Sequence, residues 1–250
     1  MATESLDVTI RELRSQGDAE LLEELYRNVL QPSFSVDELE TLESMLSRLE
    51  AEDETTLLAA VAVDGAGNVV AGLVGELYPD VKVLLLGYVA VRPDVRRRGV
   101  GSQLILQVVP RWYARADVRL ALGEVHDPRF WPQAPDEDAI SRLRLYGRLG
   151  GRLLDVPFVQ PALDAQRQRV RGFLLLVTYV DHTVSIERDG RTYIPADVVS
   201  EFIQSYFATV EDAERPYDLE LAALVARTEA RPQIALLGID EYESIPPLDT

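Results

Sequence analysis

The feature that most constrains this chain is the passage from residue 81 to residue 109. Residues 81–91 are nearly all apolar, as in a strand buried on both faces. Arg92-Pro93-Asp94-Val95-Arg96-Arg97-Arg98-Gly99-Val100-Gly101-Ser102 follows directly. A proline turn ends the strand, and a loop of arginines and glycines opens a helix. Gly99–Val109 reads as that helix, with Val100, Leu104, Val108 and Trp112 on one side, and Pro110 is expected to kink or end it. The first turn of a helix holds N–H groups without intrahelical partners, and its dipole adds positive charge. Gly99 and Gly101 let an anion approach the backbone, and the arginines add charge for phosphate. A nucleoside triphosphate loop is excluded, because no GK[ST] occurs in the sequence.

Composition removes other chemistries. The chain has 250 residues, no cysteine, and two histidines, His126 and His182. Disulfides, thiolate catalysis and cysteine- or multi-histidine metal sites are therefore excluded. The net charge of −17 argues against general nucleic-acid binding. No apolar stretch reaches membrane-span length and Met1–Leu6 carries no targeting pattern, so a cytoplasmic protein without membrane attachment is expected.

The rest of the sequence alternates strand and helix patterns. Leu6–Leu13, Thr56–Val63, Val69–Tyr78, Val118–Val125, Gly151–Phe158 and Val170–Val180 read as strands. Asp64–Asn68 reads as a hairpin turn. Helices are expected over Asp18–Leu30, over Ser35–Leu49 with Glu38 completing a capping box, and over Glu137–Leu149 with Gly150-Gly151 as the stop. Tyr193–Val210 and Pro216–Arg227 read as two further helices. Residues 17–54 hold twelve acids and two arginines, either a solvated face or a wall that attracts a cationic ligand.

Val91, Pro93, Arg96, Gly99 and Gly101 occupy every fixed position of V-x-P-x-x-R-x-x-G-x-G. Here the sequence resembles the GNAT N-acetyltransferase superfamily, whose motif for acetyl-coenzyme A has this form. A second signature, a strand ending in Glu-Val and a later L-Y-x-x-x-G, is present as Glu124-Val125 and Leu145–Gly150, with Leu149 and Gly150 closing it. Ala139 stands where relatives often carry asparagine, and the stretch from Glu124 to Tyr146 is longer than usual. The likeness spans residues 5–180.

The resemblance implies an α/β (α+β) fold, a central mixed, mostly antiparallel sheet with a splayed strand pair, flanked by helices. It implies a catalytic domain over residues 1–180, with residues 181–250 as a mostly helical extension packed on it. Main-chain groups of Arg97, Arg98, Gly99, Val100, Gly101 and Ser102 would hold the pyrophosphate, with Arg96 beside them. Val89, Ala90 and Val91 would line the pantetheine arm. Glu124 would be the general base and Tyr146 the acid for the leaving thiolate. The implied reaction is acetyl transfer from acetyl-coenzyme A to a primary amine of a small molecule or peptide. Without cysteine it proceeds by direct attack in a ternary complex, and no metal is implied. The competing reading is a non-catalytic acyl-coenzyme A sensor or scaffold, and a homodimer stays open. On the residues alone, Glu124 is either the base or a strand-end carboxylate bonded to Arg129 or Arg142; the resemblance makes Glu76 the rival base, because its strand borders the acceptor side in the family. Tyr146 is either the acid or a packing residue. His126 and Asp127 either line the acceptor pocket or are structural, and Trp131 is either a lid or an anchor.

Overall fold

A computed structural model of the chain describes residues 6–50, 57–131, 139–164, 166–211 and 218–248. Two compact units divide it, residues 1–79 with 84–118 and residues 80–83 with 119–250. No helix of the described residues is long and apolar enough to cross a membrane.

The first unit contains β1 (Val8–Leu13), α1 (Ala19–Leu25), α2 (Leu42–Glu50), β2 (Leu57–Asp64), β3 (Val69–Tyr78), β4 (Val83–Val91) and α3 (Val100–Arg115). β1, β2 and β3 pair antiparallel, and β4 lies beside β3. The expected hairpin turn is present: Asp64 Oδ1 accepts from the Ala66 and Asn68 N–H groups, each at 2.9 Å. Two glycines of β3 show how helices cover the sheet. A Cβ on Gly72 would overlap Leu25 of α1, and one on Gly75 would stand 3.2 Å from Trp112 of α3. Their odd spacing puts them on opposite faces, so α1 and α3 sandwich the sheet. That explains why Leu57–Ala62 and Val69–Val74 are apolar throughout rather than alternating.

The first unit departs from the expected helices in two places. The second helix starts at Leu42 and not at Ser35. Ser35 Oγ and N–H do bond Glu38 Oε2, at 2.6 and 3.1 Å, but they close a single turn. The chain then leaves the helix because the Glu40 N–H goes to the Tyr88 hydroxyl, and Thr41 Oγ1 accepts from the Ser44 N–H. Pro110 does not end α3, which runs on to Arg115. The carbonyl that Pro110 leaves without a donor belongs to Leu106, which is 61% exposed and open to water. Beyond it, Trp112 is buried, and Arg111 and Arg115 reach Glu12 of β1 at 3.4 and 3.1 Å.

The second unit contains β5 (Leu120–His126), α4 (Ala139–Arg148), β6 (Arg152–Leu154), β7 (Val159–Gln160), β8 (Val170–Arg171), β9 (Phe173–Val180), β10 (Ile186–Arg188), β11 (Arg191–Pro195), α5 (Ala196–Val210), α6 (Leu219–Glu229) and β12 (Gln233–Leu237). Its strands run in the order β5-β9-β6-β12-β11-β10, each pair antiparallel. β7 and β8 form a separate ribbon. The strand expected over Gly151–Phe158 shrinks to β6, since the Val156 N–H turns back to the Leu154 carbonyl at 2.9 Å and Pro157 has no N–H to offer. Tyr193 is strand and not helix, because it pairs with Ala235 of β12, an element the sequence pattern does not announce. Residues 137 and 138, the expected start of α4, lie outside the described residues.

α5 and α6 are tied to β8 by Arg169. Its guanidinium bonds Glu211, Asp218 and Glu220 and stacks 4.8 Å over the Phe207 ring. The side chain of Arg169 is 8% exposed. Burial opposes its charge, and these carboxylates override that and hold its pKa above the usual arginine value.

Candidate active site

In the first unit, the loop between β4 and α3 has the backbone of an anion cradle. Arg97 and Gly99 take positive φ, +65° and +81°, and Gly99 stands in the left-handed conformation where α3 begins. The first helical bond runs from the Gln103 N–H to the Gly99 carbonyl, at 3.0 Å. The N–H groups of Val100, Gly101 and Ser102 therefore precede the helical ladder. Gly99 is exposed, and a Cβ built on it would meet nothing within 4 Å, so the space beside its backbone is open. Alternation of left- and right-handed backbone aims successive N–H groups into one concavity. Arg96 has a second duty: its Nε donates to the Val91 carbonyl at 3.1 Å and fastens the turn to the end of β4. Along that strand Val89 and Val91 are half-buried while Ala90 is buried.

The rival base also lies in this unit. Glu76 accepts from Arg48 at 2.7 Å and from the Tyr78 hydroxyl at 3.1 Å. Arg48 also bonds Glu40, whose carboxyl is pushed up by burial and by nearby Glu76 against the pull of Arg48. Glu76 is thus a partner in an internal ion-pair network.

In the second unit, β5 carries Glu124 and Val125 on opposite faces. Val125 clusters with Leu143 of α4 and partly buried Tyr146. Glu124 faces the other way. Its Oε1 accepts from the Tyr206 hydroxyl at 3.1 Å and its Oε2 from Gln160 Nε2 at 2.8 Å. Glu124 and Tyr146 therefore stand on the two sides of one sheet. Desolvation raises the Tyr146 phenol above its ordinary value against the pull of Arg142.

Residues 20–130 match the model of the acetyltransferase (GNAT) family. Over that stretch, a little under half of the chain, the sequence is similar to a GNAT domain. A candidate GNAT acetyltransferase from Bacteroides thetaiotaomicron shares the fold, at 15% identity and a TM-score of 0.50 over 70% of this chain and 89% of that one. The PaiA N-acetyltransferase of Thermoplasma acidophilum in complex with coenzyme A aligns at 12% identity and a TM-score of 0.46, over 69% of this chain and 98% of that one. Ard1 of Thermoplasma volcanium aligns at 22% identity and a TM-score of 0.46, over 70% and 99%. No curated protein matches the chain.

Within the matched residues and the strands after them, the residues weighed from sequence separate clearly. Asp127 is buried and clamps Arg129, with Nη2 at 2.6 Å, and Arg129 donates onward to the Glu243 and Ile245 carbonyls. His126 stacks on Trp131 at 3.9 Å, and the Trp131 indole donates to the Gly172 carbonyl at 2.8 Å. These contacts make Trp131 an anchor for its loop. His182 is exposed, beside Asp181. Sequence reasoning missed Gln160 and Tyr206. Neither belongs to a motif, and they lie 36 and 82 residues from Glu124. The aromatic run Phe202, Tyr206, Phe207 at helical spacing was the available signal.

Proposed function

We propose that this protein transfers the acetyl group of acetyl-coenzyme A to a primary amine by direct attack. The observation that carries this reading is the turn at Arg97–Gly99, whose left-handed residues open α3 beside unfilled space in the sequence of the family's coenzyme motif. Main-chain N–H groups of residues 97–102 hold the pyrophosphate, with Arg97 and Arg98 adding charge. Val89, Ala90 and Val91 run along the pantetheine arm, and Arg96 keeps the turn in place.

The chemistry asks for one proton to leave and one to arrive. The amine nitrogen bonds to the acetyl carbon as the carbon–sulfur bond breaks. Glu124 takes the proton that the amine sheds, and Tyr146 gives one to the departing thiolate. Solvent then returns both groups to their starting states, and the products are an amide and free coenzyme A. Tyr146 is protonated at neutral pH like any phenol, and burial extends that range upward. Positioned proton transfer of this kind is worth about 10²–10⁴-fold. The acids of residues 17–54 favour a cationic acceptor.

Calorimetric titration with acetyl-coenzyme A, then coenzyme A release with spermidine, lysine and a short peptide, tests the reading. Binding together with turnover on a primary amine is expected. Tight binding without turnover on any amine makes the protein a sensor instead. Tyr146→Phe is expected to lower kcat by about 10²-fold or more with unchanged coenzyme affinity. Because the phenol is raised, the parent should keep its activity to the alkaline side of the ordinary phenol range. Equal kcat in parent and variant removes Tyr146 from the reaction.

A further inference from the structure

Glu124 has two neighbours that the acid–base reading leaves without a task. Tyr206 comes from α5 and Gln160 from β7, both outside the residues that match the family. Each donates to a different carboxylate oxygen, at 3.1 and 2.8 Å. Both donors are neutral and both are buried, at 3% and 5% exposure. Their surroundings fix them in turn. The Tyr206 ring lies 6.5 Å from Phe158 and 5.6 Å from Phe202, stacked on both, and meets Phe207 edge-on at 6.4 Å. Gln160 pairs with Val170 in the β7–β8 ribbon.

Two donors, one per oxygen, do more than pack a carboxylate. An ionised carboxylate accepts both bonds at once. A protonated one is a weaker acceptor, most of all on the oxygen that carries its hydrogen, so each bond favours the charged form. Donors on both oxygens also leave the group little freedom to swing about its last torsion. The Gln160 Oε1 is buried and has no hydrogen-bond partner among the described residues. Turning the amide over offers no relief, since Glu124 provides only acceptors. The cluster can therefore take one more donor, such as a water.

Resting on the acid–base reading above, we infer that Tyr206 and Gln160 are positioning residues that hold Glu124 ionised and aimed for proton transfer. The C-terminal part of the chain thereby takes part in the reaction while touching neither substrate.

Tyr206→Phe removes one donor and keeps the ring contacts, and Gln160→Met removes the other at similar volume. Both are compared with the parent and with Glu124→Gln, as full chains, using the amine from the panel that turns over. The base must be ionised to act, so activity falls as pH drops through its titration. Loss of a donor weakens the ionised form, and the acidic limb of kcat/KM should move to higher pH. In Tyr206→Phe and in Gln160→Met, kcat at neutral pH should fall about tenfold or more, with KM for acetyl-coenzyme A within about twofold of the parent. Titration of the Glu124 carboxyl carbon by NMR, assigned by its absence in Glu124→Gln, should show the same upward move without any acceptor. An unmoved limb and an unmoved NMR titration in both variants overturn the inference. In that event, loss of turnover in Glu124→Gln leaves the base reading standing, whereas parent-like turnover in Glu124→Gln overturns the base reading itself. Should one variant fail to fold, the other decides, because each removes its own hydrogen bond.

Discussion

Gly99→Asp is expected to weaken acetyl-coenzyme A binding by about a hundredfold or more. Gly99 sits at φ +81°, where a side chain costs about 1–2 kcal/mol in backbone strain. That strain alone does not explain a loss of affinity, because no atom lies within 4 Å of the position a Cβ would take. Repulsion explains it. A carboxylate about 4 Å from one phosphate charge costs about 1 kcal/mol in water and about 4 kcal/mol near a protein surface. Pyrophosphate brings two such charges. Gly99→Asn shares the backbone requirement, tolerates the left-handed region and carries no charge, so it should lose tenfold or less. Calorimetry on both variants at low and high salt separates the causes, since only the charge penalty shrinks as screening rises. Equal affinities for the Asp and Asn variants at low salt rule out a diphosphate in this turn.

Arg169→Met should destabilise the second unit by about 3–5 kcal/mol. Arg169 is the cation shared by Glu211, Asp218 and Glu220. The Glu211 side chain is 6% exposed and has little water to replace the lost partner. Methionine keeps the contact with Phe207 but takes away the shared cation, leaving Glu220 with Arg171, and Glu211 and Asp218 with the N–H groups of Ala162 and Leu221. Lowering the pH protonates them, so the deficit relative to the parent should shrink as pH falls through the carboxylate range. Denaturant unfolding of both proteins at neutral and acidic pH measures this. A variant within about 1 kcal/mol of the parent at neutral pH, as for an exposed pair, contradicts a buried clamp.

The sequence was most legible where backbone geometry demanded a particular residue. Gly99 had to be glycine or a rare exception, and the structure finds it left-handed at the mouth of α3. The buried stripe Val100, Leu104, Val108, Trp112 came straight from helical spacing. Legibility failed where a distant group decided the local outcome. The helix expected from Ser35 is broken because Tyr88, 48 residues away, captures the Glu40 N–H. α3 survives Pro110 because solvent reaches Leu106 and Glu12 holds the last turn. β12 exists because β6 and β11 offer it edges on both sides. The setting of Glu124 was hidden for the same reason: hydrogen-bond partners far apart in the chain leave no period to detect.

The alternation of β5 bears on how the two groups proposed for proton transfer would recover after a turnover. Glu124 looks to one side of the sheet and Tyr146 stands on the other. A paired strand is a poor proton wire, since its amides are committed to its neighbours and carry no exchangeable relay. In the proposed reaction each group would therefore exchange its proton on its own side. The two titrations should be independent, so that a substitution at either residue leaves the titration of the other unmoved.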